Sequence, residues 1–286
     1  MSRTIIILAF VLAGGHGLAQ FRDSVLVARV AELAKAQDDS AKLRYSEALK
    51  LELRSALAAA DAMTHDFNAV RISRVDAPDG KFRLFTWNIP WADGTHRYEG
   101  LIVAKDKRGN VVVELTDATA PASVPEFATL GPDKWYGALY YDVVPVKKGG
   151  KTLYTLLGWK GFSKVETRKV VEVLSFKGAA PRFGSDVFDG LDAKGKPWRV
   201  KKSRLVYGFN FEVRMSLKWV AQEGMIVMDH LSPSRQDLSG QWPFYGPDLS
   251  YDGYHWAKNH WAYVRDIDAR LKDEGDVPWN RPPRQP

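Results

Sequence analysis

The sequence predicts an α+β protein that is mainly β, with an N-terminal helical segment followed by a large antiparallel β-meander, closed or sandwich-like. Three observations carry that reading. Apolar residues recur at helical spacing before residue 66. From about Val70 onward, short runs rich in aromatic and β-branched residues alternate with turns containing Gly and Asp. No helical period of useful length interrupts those runs.

The chain divides accordingly into residues 1–19, a secretory signal; 20–66, the helical segment; 67–270, the β domain; and 271–286, a polar, Pro-rich tail. Ser2 and Arg3 begin the signal, and the uncharged apolar run Thr4 to Gly15 follows. A spanning helix needs about 20 apolar residues, so this run is too short to cross a bilayer. Gly17 and Ala19 place small residues where a signal peptidase reads, and Gln20 would start the mature chain. The location expected is therefore periplasmic or secreted, and the mature protein soluble and not membrane-spanning. The chain has no cysteine, which excludes disulfides, thiol nucleophiles, thiolate metal sites and an N-terminal lipid anchor.

In the helical segment, Leu26, Val30 and Leu33 form one stripe, and Leu49, Leu53, Leu57 and Ala60 a second. Asp38, Asp39 and Ser40 lie between them, where a side-chain oxygen can accept the free N–H groups of a helix start. The β domain then offers Phe82 to Asn88, His96 to Ala104, Val111 to Leu115, Trp135 to Val146, Thr152 to Trp159 and Arg168 to Phe176 as strands. Trp198 to Arg204, Leu205 to Arg214, Ser216 to Ala221 and Gly224 to Met228 continue the series. That makes about eight to ten strands joined by tight hairpins. An outer-membrane barrel is not expected, because the strand lengths vary and the chain ends in a polar tail.

Apolar residues at 45% and charged residues at 26% describe an ordinary globular protein. The formal charge is +7, and loss of Arg3 with the signal leaves +6. Lys and Arg are spread along the chain, densest at Lys194 to Arg204, which reads as a basic hairpin. No focused stripe exists for nucleic acid. A solvated basic face, or contact with an anionic envelope polymer, accounts for the excess.

The segment Trp242 to Asp268 is dense in rings and titratable groups. Trp242, Tyr251, Asp252, Tyr254, His255, Trp256 and Trp261 form a candidate binding surface, since sugars stack on rings while Asp and His take hydroxyls. The plainer alternative is that these rings close the base of the β domain. Ser250 to Trp256 falls one residue short of an Asp-box turn. Asp229 and His230 end an apolar run and are candidate catalytic residues, because strand ends commonly present site residues. A metal site could draw on His230, His255, His260 and Asp252, although no fixed ligand spacing is present. No cofactor is evident. The chain has no G-x-S-x-G elbow, phosphate loop or dinucleotide fingerprint.

Several phrases together resemble a group of uncharacterised exported bacterial β-rich proteins with no assigned activity. They are Leu84 to Asn88 with Asp93 to Gly100, Gly137 to Tyr141, Tyr154 to Gly161, Arg168 to Leu174, Met225 to Pro233 and Tyr245 to Gly253. The resemblance covers roughly Val70 to Asp268 and implies nothing about catalysis. The function expected is a non-catalytic β domain that binds a ligand or partner, such as an envelope glycan or another envelope protein. The alternatives are a metal-dependent hydrolase and a structural or assembly protein.

Overall fold

The structure, a computed structural model, describes residues 14–107, 109–118, 124–192 and 195–268. The core of the signal and the C-terminal tail lie outside these residues. Helix α1 (Gly14–Lys35) runs through the expected cleavage point, and α2 (Asp39–Ala58) follows a short break. Asp38 caps α2 by accepting from the Ala41 N–H at 2.8 Å. Among the described residues, no helix is long and apolar enough to cross a membrane.

Thirteen strands follow among the described residues, all in antiparallel pairings. The first sheet holds β1 (Ser73–Asp76), β2 (Phe82–Pro90), β3 (His96–Asp106) and β4 (Gly109–Thr116) in sequence order. The second holds β5 (Leu139–Lys148), β6 (Lys151–Gly161), β7 (Glu166–Lys177) and β8 (Ala180–Phe183). The longer β9 (Arg204–Asn210) shares the outer edge of β7 with β8. The third holds β10 (Leu217–Val220), β11 (Met225–Pro233), β12 (Tyr245–Ala257) and β13 (His260–Val264).

These elements stack in four layers. Leu49, Leu53 and Leu57 of α2 pack with Phe85, Trp87, Leu101 and Val103 on the outer face of the first sheet. The opposite face of that sheet, through Phe82, Leu84 and Ile102, meets Tyr154, Leu156 and Val170 of the second. The second sheet turns Leu157, Val171, Val173 and Leu205 the other way, onto Ile226, Met228 and Trp261 of the third. The second sheet is therefore central and covered on both faces. That is why β6 and β7 carry near-continuous apolar runs and not a clean alternation. Gly149 and Gly150 form the two-residue turn between β5 and β6, with φ of 54° and 79°, the left-handed geometry that the twist of a hairpin favours.

The structure departs from the sequence expectation at several elements. Trp135 to Gly137 precede β5 and are not strand; they follow a 3₁₀ turn over Pro132–Lys134. The described part of Lys194 to Arg204 is irregular up to β9, because Trp198 folds back to donate its N–H to the Gly190 carbonyl. Two short strands, β1 and β8, carry too few residues to stand out as a pattern. The aromatic segment itself forms β12 and β13, so the near Asp-box Ser250 to Trp256 is strand, not turn.

The helical pair is fixed to the sheet by charge as well as by packing. Lys50 Nζ lies 2.8 Å from Glu47, 3.3 Å from Glu99 and 2.8 Å from Glu114. Burial opposes its charge, but the hydrogen bonds it donates to Glu114 and Glu47 outweigh that and hold the ammonium above its ordinary range.

Candidate functional site

The two quoted phrases Met225 to Pro233 and Tyr245 to Gly253 are neighbouring strands, β11 and β12. Their register breaks at one place. Asp229 faces Tyr251 and Leu231 faces Pro247, so three residues, 248–250, stand opposite His230 alone. Such a bulge re-aims side chains and interrupts the ladder. Here Asp248 closes it by accepting from Ser250 N at 3.1 Å and Ser250 Oγ at 2.7 Å. The turn places Leu249 at φ 73°, a backbone region uncommon for a residue with a branched side chain, and leaves it 92% exposed.

His230 and Asp252 meet diagonally across the bulged pair. Nδ1 of His230 lies 2.6 Å from Asp252 Oδ2. The same oxygen accepts from Tyr263 Oη at 2.6 Å, while Asp252 Oδ1 accepts from the Asp266 N–H at 3.3 Å. An ionised carboxylate only accepts, so in this contact Nδ1 of His230 is the donor. Nε2 faces Asp248, with 4.0 Å to Oδ2. Asp248 Oδ2 also accepts from Ser232 Oγ at 2.6 Å. Burial disfavours the Asp248 charge, yet the hydrogen bonds from Ser232 and Ser250 hold this carboxyl below the usual range. Burial, followed by the bond to Asp252, drives the Tyr263 phenol upward.

Asp248 and Ser232 also line a groove of about 430 Å³ with Asn210, Glu212, Phe244 and Tyr245. Asn210 ties two walls together: its Nδ2 donates to Pro243 O and its Oδ1 accepts from Glu212 N, both at 2.8 Å. Two exposed apolar side chains, Val213 and Phe244, line the groove, and exposed Phe211 falls between its lining residues Asn210 and Glu212 in the chain. Phe211 is held beside Val165 by its N–H on the Val165 carbonyl at 3.2 Å.

The residues singled out from the sequence separate into several environments. Asp252 and His230 are brought together. Asp229 forms a reciprocal clasp with Ser216, accepting its N–H at 2.7 Å and donating back at 3.1 Å. Trp242 covers Gly208 so closely that a Cβ there would lie 2.1 Å from the ring, and it sits 5.0 Å from the Arg168 guanidinium. Trp261 is fully buried and donates to Thr155 Oγ1 at 2.9 Å. Tyr254 is buried with its hydroxyl 3.4 Å from that of Tyr207. Trp256 packs on Trp261 and donates to the Lys147 carbonyl at 3.2 Å. Tyr251 and His255 are exposed.

The three histidines do not converge. His260 pairs with Asp189 at 3.1 Å, and His255 faces Met225, five residues along β11 from His230, a span of roughly 16 Å. Among the described residues, no group of three or more His, Asp or Glu is placed to hold a metal ion. The reading from sequence missed Asn210, Glu212 and Ser232 as groove residues; Phe244 and Tyr245 belong to the ring-dense segment it marked. A Pro-Asp-x-Ser stretch at 247–250 is a turn signature and was the available signal for the bulge. No protein-family model, curated protein or solved structure matches this chain.

Proposed function

We propose that this is a non-catalytic binding domain of the cell envelope, exported to the periplasm or beyond, that takes a hydroxyl-rich ligand in the groove beside Asp248. A short stretch of neutral glycan is the simplest such ligand. One observation carries the reading: exposed Phe244 and half-buried Tyr245 stand beside the carboxylates of Glu212 and Asp248, the Asn210 amide and the Ser232 hydroxyl. Rings offer flat apolar faces to sugar C–H groups, and the short polar side chains offer fixed partners to hydroxyls. The groove volume falls within the range typical of small-ligand sites.

The test is calorimetric titration of the purified mature protein with neutral gluco- and N-acetylglucosamine oligosaccharides. Saturable binding in the range of about 1 mM or tighter is expected. Phe244→Ala and Asp248→Asn should each weaken it by about tenfold. Absence of binding, or equal binding by both variants, would remove the proposal.

A second reading, hydrolysis, rests on His230. Asp252 fixes its tautomer and Nε2 could take a proton from water at the groove edge. In that case His230→Ala would abolish turnover of a bound oligosaccharide while leaving its affinity in place.

A further inference from the structure

Lysines that are dispersed in the sequence gather at one end of the stacked sheets. Lys81 lies at the β1–β2 turn, Lys105 and Lys107 at the β3–β4 tip, Lys147, Lys148 and Lys151 at the β5–β6 tip, Lys177 at the β7–β8 tip and Lys258 at the β12–β13 tip. Contacts between the tips show that they share one end. Tyr154 of the second sheet donates to Asp79 of the first at 2.7 Å, and Lys81 Nζ lies 5.6 Å from the Phe176 ring. The third sheet joins them through Trp256 on the Lys147 carbonyl at 3.2 Å and Asn259 on the Gly149 N–H at 3.4 Å.

The charge is unbalanced and outward. Lys105, Lys107, Lys147, Lys151, Lys177 and Lys258 are exposed. The carboxylates near the same end include Asp61, Asp76, Asp79, Asp106, Asp186, Asp189 and Glu223, of which Asp76 is paired with Arg83 at 2.8 Å, Asp79 is taken by Tyr154, Asp186 by Lys148 at 3.4 Å and Asp189 by His260 at 3.1 Å. Among the described residues, none of the exposed large apolar side chains belongs to one of these tips.

We infer that this lysine-bearing end adsorbs on an anionic lipid bilayer surface. Three stacked sheets spaced about 10 Å apart spread the ammonium groups over a plane some 20 Å deep, whereas a linear polyanion calls for a stripe. Lysine is a compact point charge on a long stem and suits attraction to many headgroups without a fixed geometry. With no apolar side chain at the tips to insert, the attachment is electrostatic and reversible, and it falls off within a Debye length. The groove beside Asp248 lies at the far end of the sheets and stays open when the lysine end is down.

Co-sedimentation with phosphatidylcholine vesicles containing about 30 mol% phosphatidylglycerol tests this. The mature protein should pellet with them, remain in solution with pure phosphatidylcholine, and be released by about 0.5 M salt. The triple variant Lys147→Gln, Lys151→Gln, Lys258→Gln should bind at least about tenfold less tightly. A control that removes the same charge from the other end, Lys164→Gln, Arg214→Gln, Arg235→Gln, should pellet like the parent. Failure to pellet with anionic vesicles, or equal loss in both triple variants, overturns the inference. So does retention on dextran sulfate without retention on vesicles, which would assign the surface to a linear polyanion. Oligosaccharide titration of the lysine variant reads the groove separately.

Discussion

The two faces of the central sheet are built by opposite means. The face toward β10–β13 is apolar almost to its rim, through Leu157, Val171, Val173, Leu205 and Phe209. The face toward β1–β4 buries a chain of charges. Glu172 and Arg204, facing residues on β7 and β9, are both fully buried and paired, and Tyr140 donates to Glu172. Arg204 also donates to the carbonyls of Pro125, Ala128 and Phe183. Lys160, 2% exposed, donates to the carbonyls of Tyr136 and Gly137 at 2.9 and 2.8 Å and lies 4.1 Å from the Tyr98 ring. The charged side chains bind the irregular chain between Val124 and Ala138. That segment has no ladder of its own, and buried backbone carbonyls require partners. The difference teaches that the ionic face holds a loop, whereas the apolar face holds a sheet.

The sharpest way to break this comparison is to remove one group from each face. Arg204→Met leaves the Glu172 carboxylate buried without its cation and takes one donor from each of three carbonyls. Breaking a buried pair in this way costs about 3–5 kcal/mol. Leu157→Ala on the opposite face leaves a cavity and costs about 2–4 kcal/mol. Urea unfolding of both variants measures the two values. Proteolysis between residues 124 and 138 should rise in the arginine variant alone. A leucine variant cleaved equally there would show that the loop is held by general packing.

Proton linkage sharpens the same contrast. Burial is the largest influence on Lys160 and pushes its ammonium down to about 8, against the pull of Asp117. The unfolded chain titrates near 10.4, so between about pH 8 and 10 the unfolded state binds the extra proton. Stability contributed at this site therefore rises with pH through that window. It amounts to about 1.4 kcal/mol per pH unit at most. Above pH 10 the sign reverses, because burial raises the phenols of Tyr98 and Tyr140 and the folded state keeps protons that the unfolded state loses. Lys160→Met should be less stable than the parent at pH 7.5 and should lack the gain between pH 8 and 9.5. A parallel gain in the variant would place the proton elsewhere, with Lys169, which burial also lowers, as the next group to replace.

Much of the architecture was legible in the sequence because it depends on local pattern. The Asp38 cap, the stripe Leu49, Leu53 and Leu57, and the Gly149–Gly150 hairpin each answer to residues close in the chain. Glu172 and Lys160 were not legible as core, since a charged residue within a strand pattern normally marks the solvent side. Their burial depends on two partners brought by tertiary structure, Arg204 and the loop carbonyls. The candidate site was half legible. His230 and Asp252 stand out by type, but the bulge that makes them meet is a matter of register between two strands. Trp261 and Tyr254 have the composition of a sugar platform and the position of core, and composition does not distinguish the two. The lysines looked scattered because hairpin tips distant in sequence converge only when the sheets stack.

The smallest expected effect lies where the two designs meet, at the rim of the apolar face. Asp252 is 3% exposed, about as deeply placed as Lys160, yet its closest partners are two side chains, His230 and Tyr263, with one more distant backbone N–H at Asp266. Asp252→Asn keeps an acceptor for Tyr263 and the shape of the side chain, so the loss should be about 1–2 kcal/mol, below that of either interior change. Its diagnostic effect is on the imidazole. An amide can either donate to or accept from Nδ1, so the variant no longer fixes the proton there. Nitrogen-15 NMR of the histidine ring should show the Nδ1–H tautomer of His230 in the parent and a mixture with Nε2–H in the variant. The Nε2–H form in the parent would contradict the orientation assigned to the pair, and with it the hydrolytic reading of His230. A stability loss as large as that of Arg204→Met would mean that the rim carboxylate holds the third sheet in place, and the contrast between the two faces would fail.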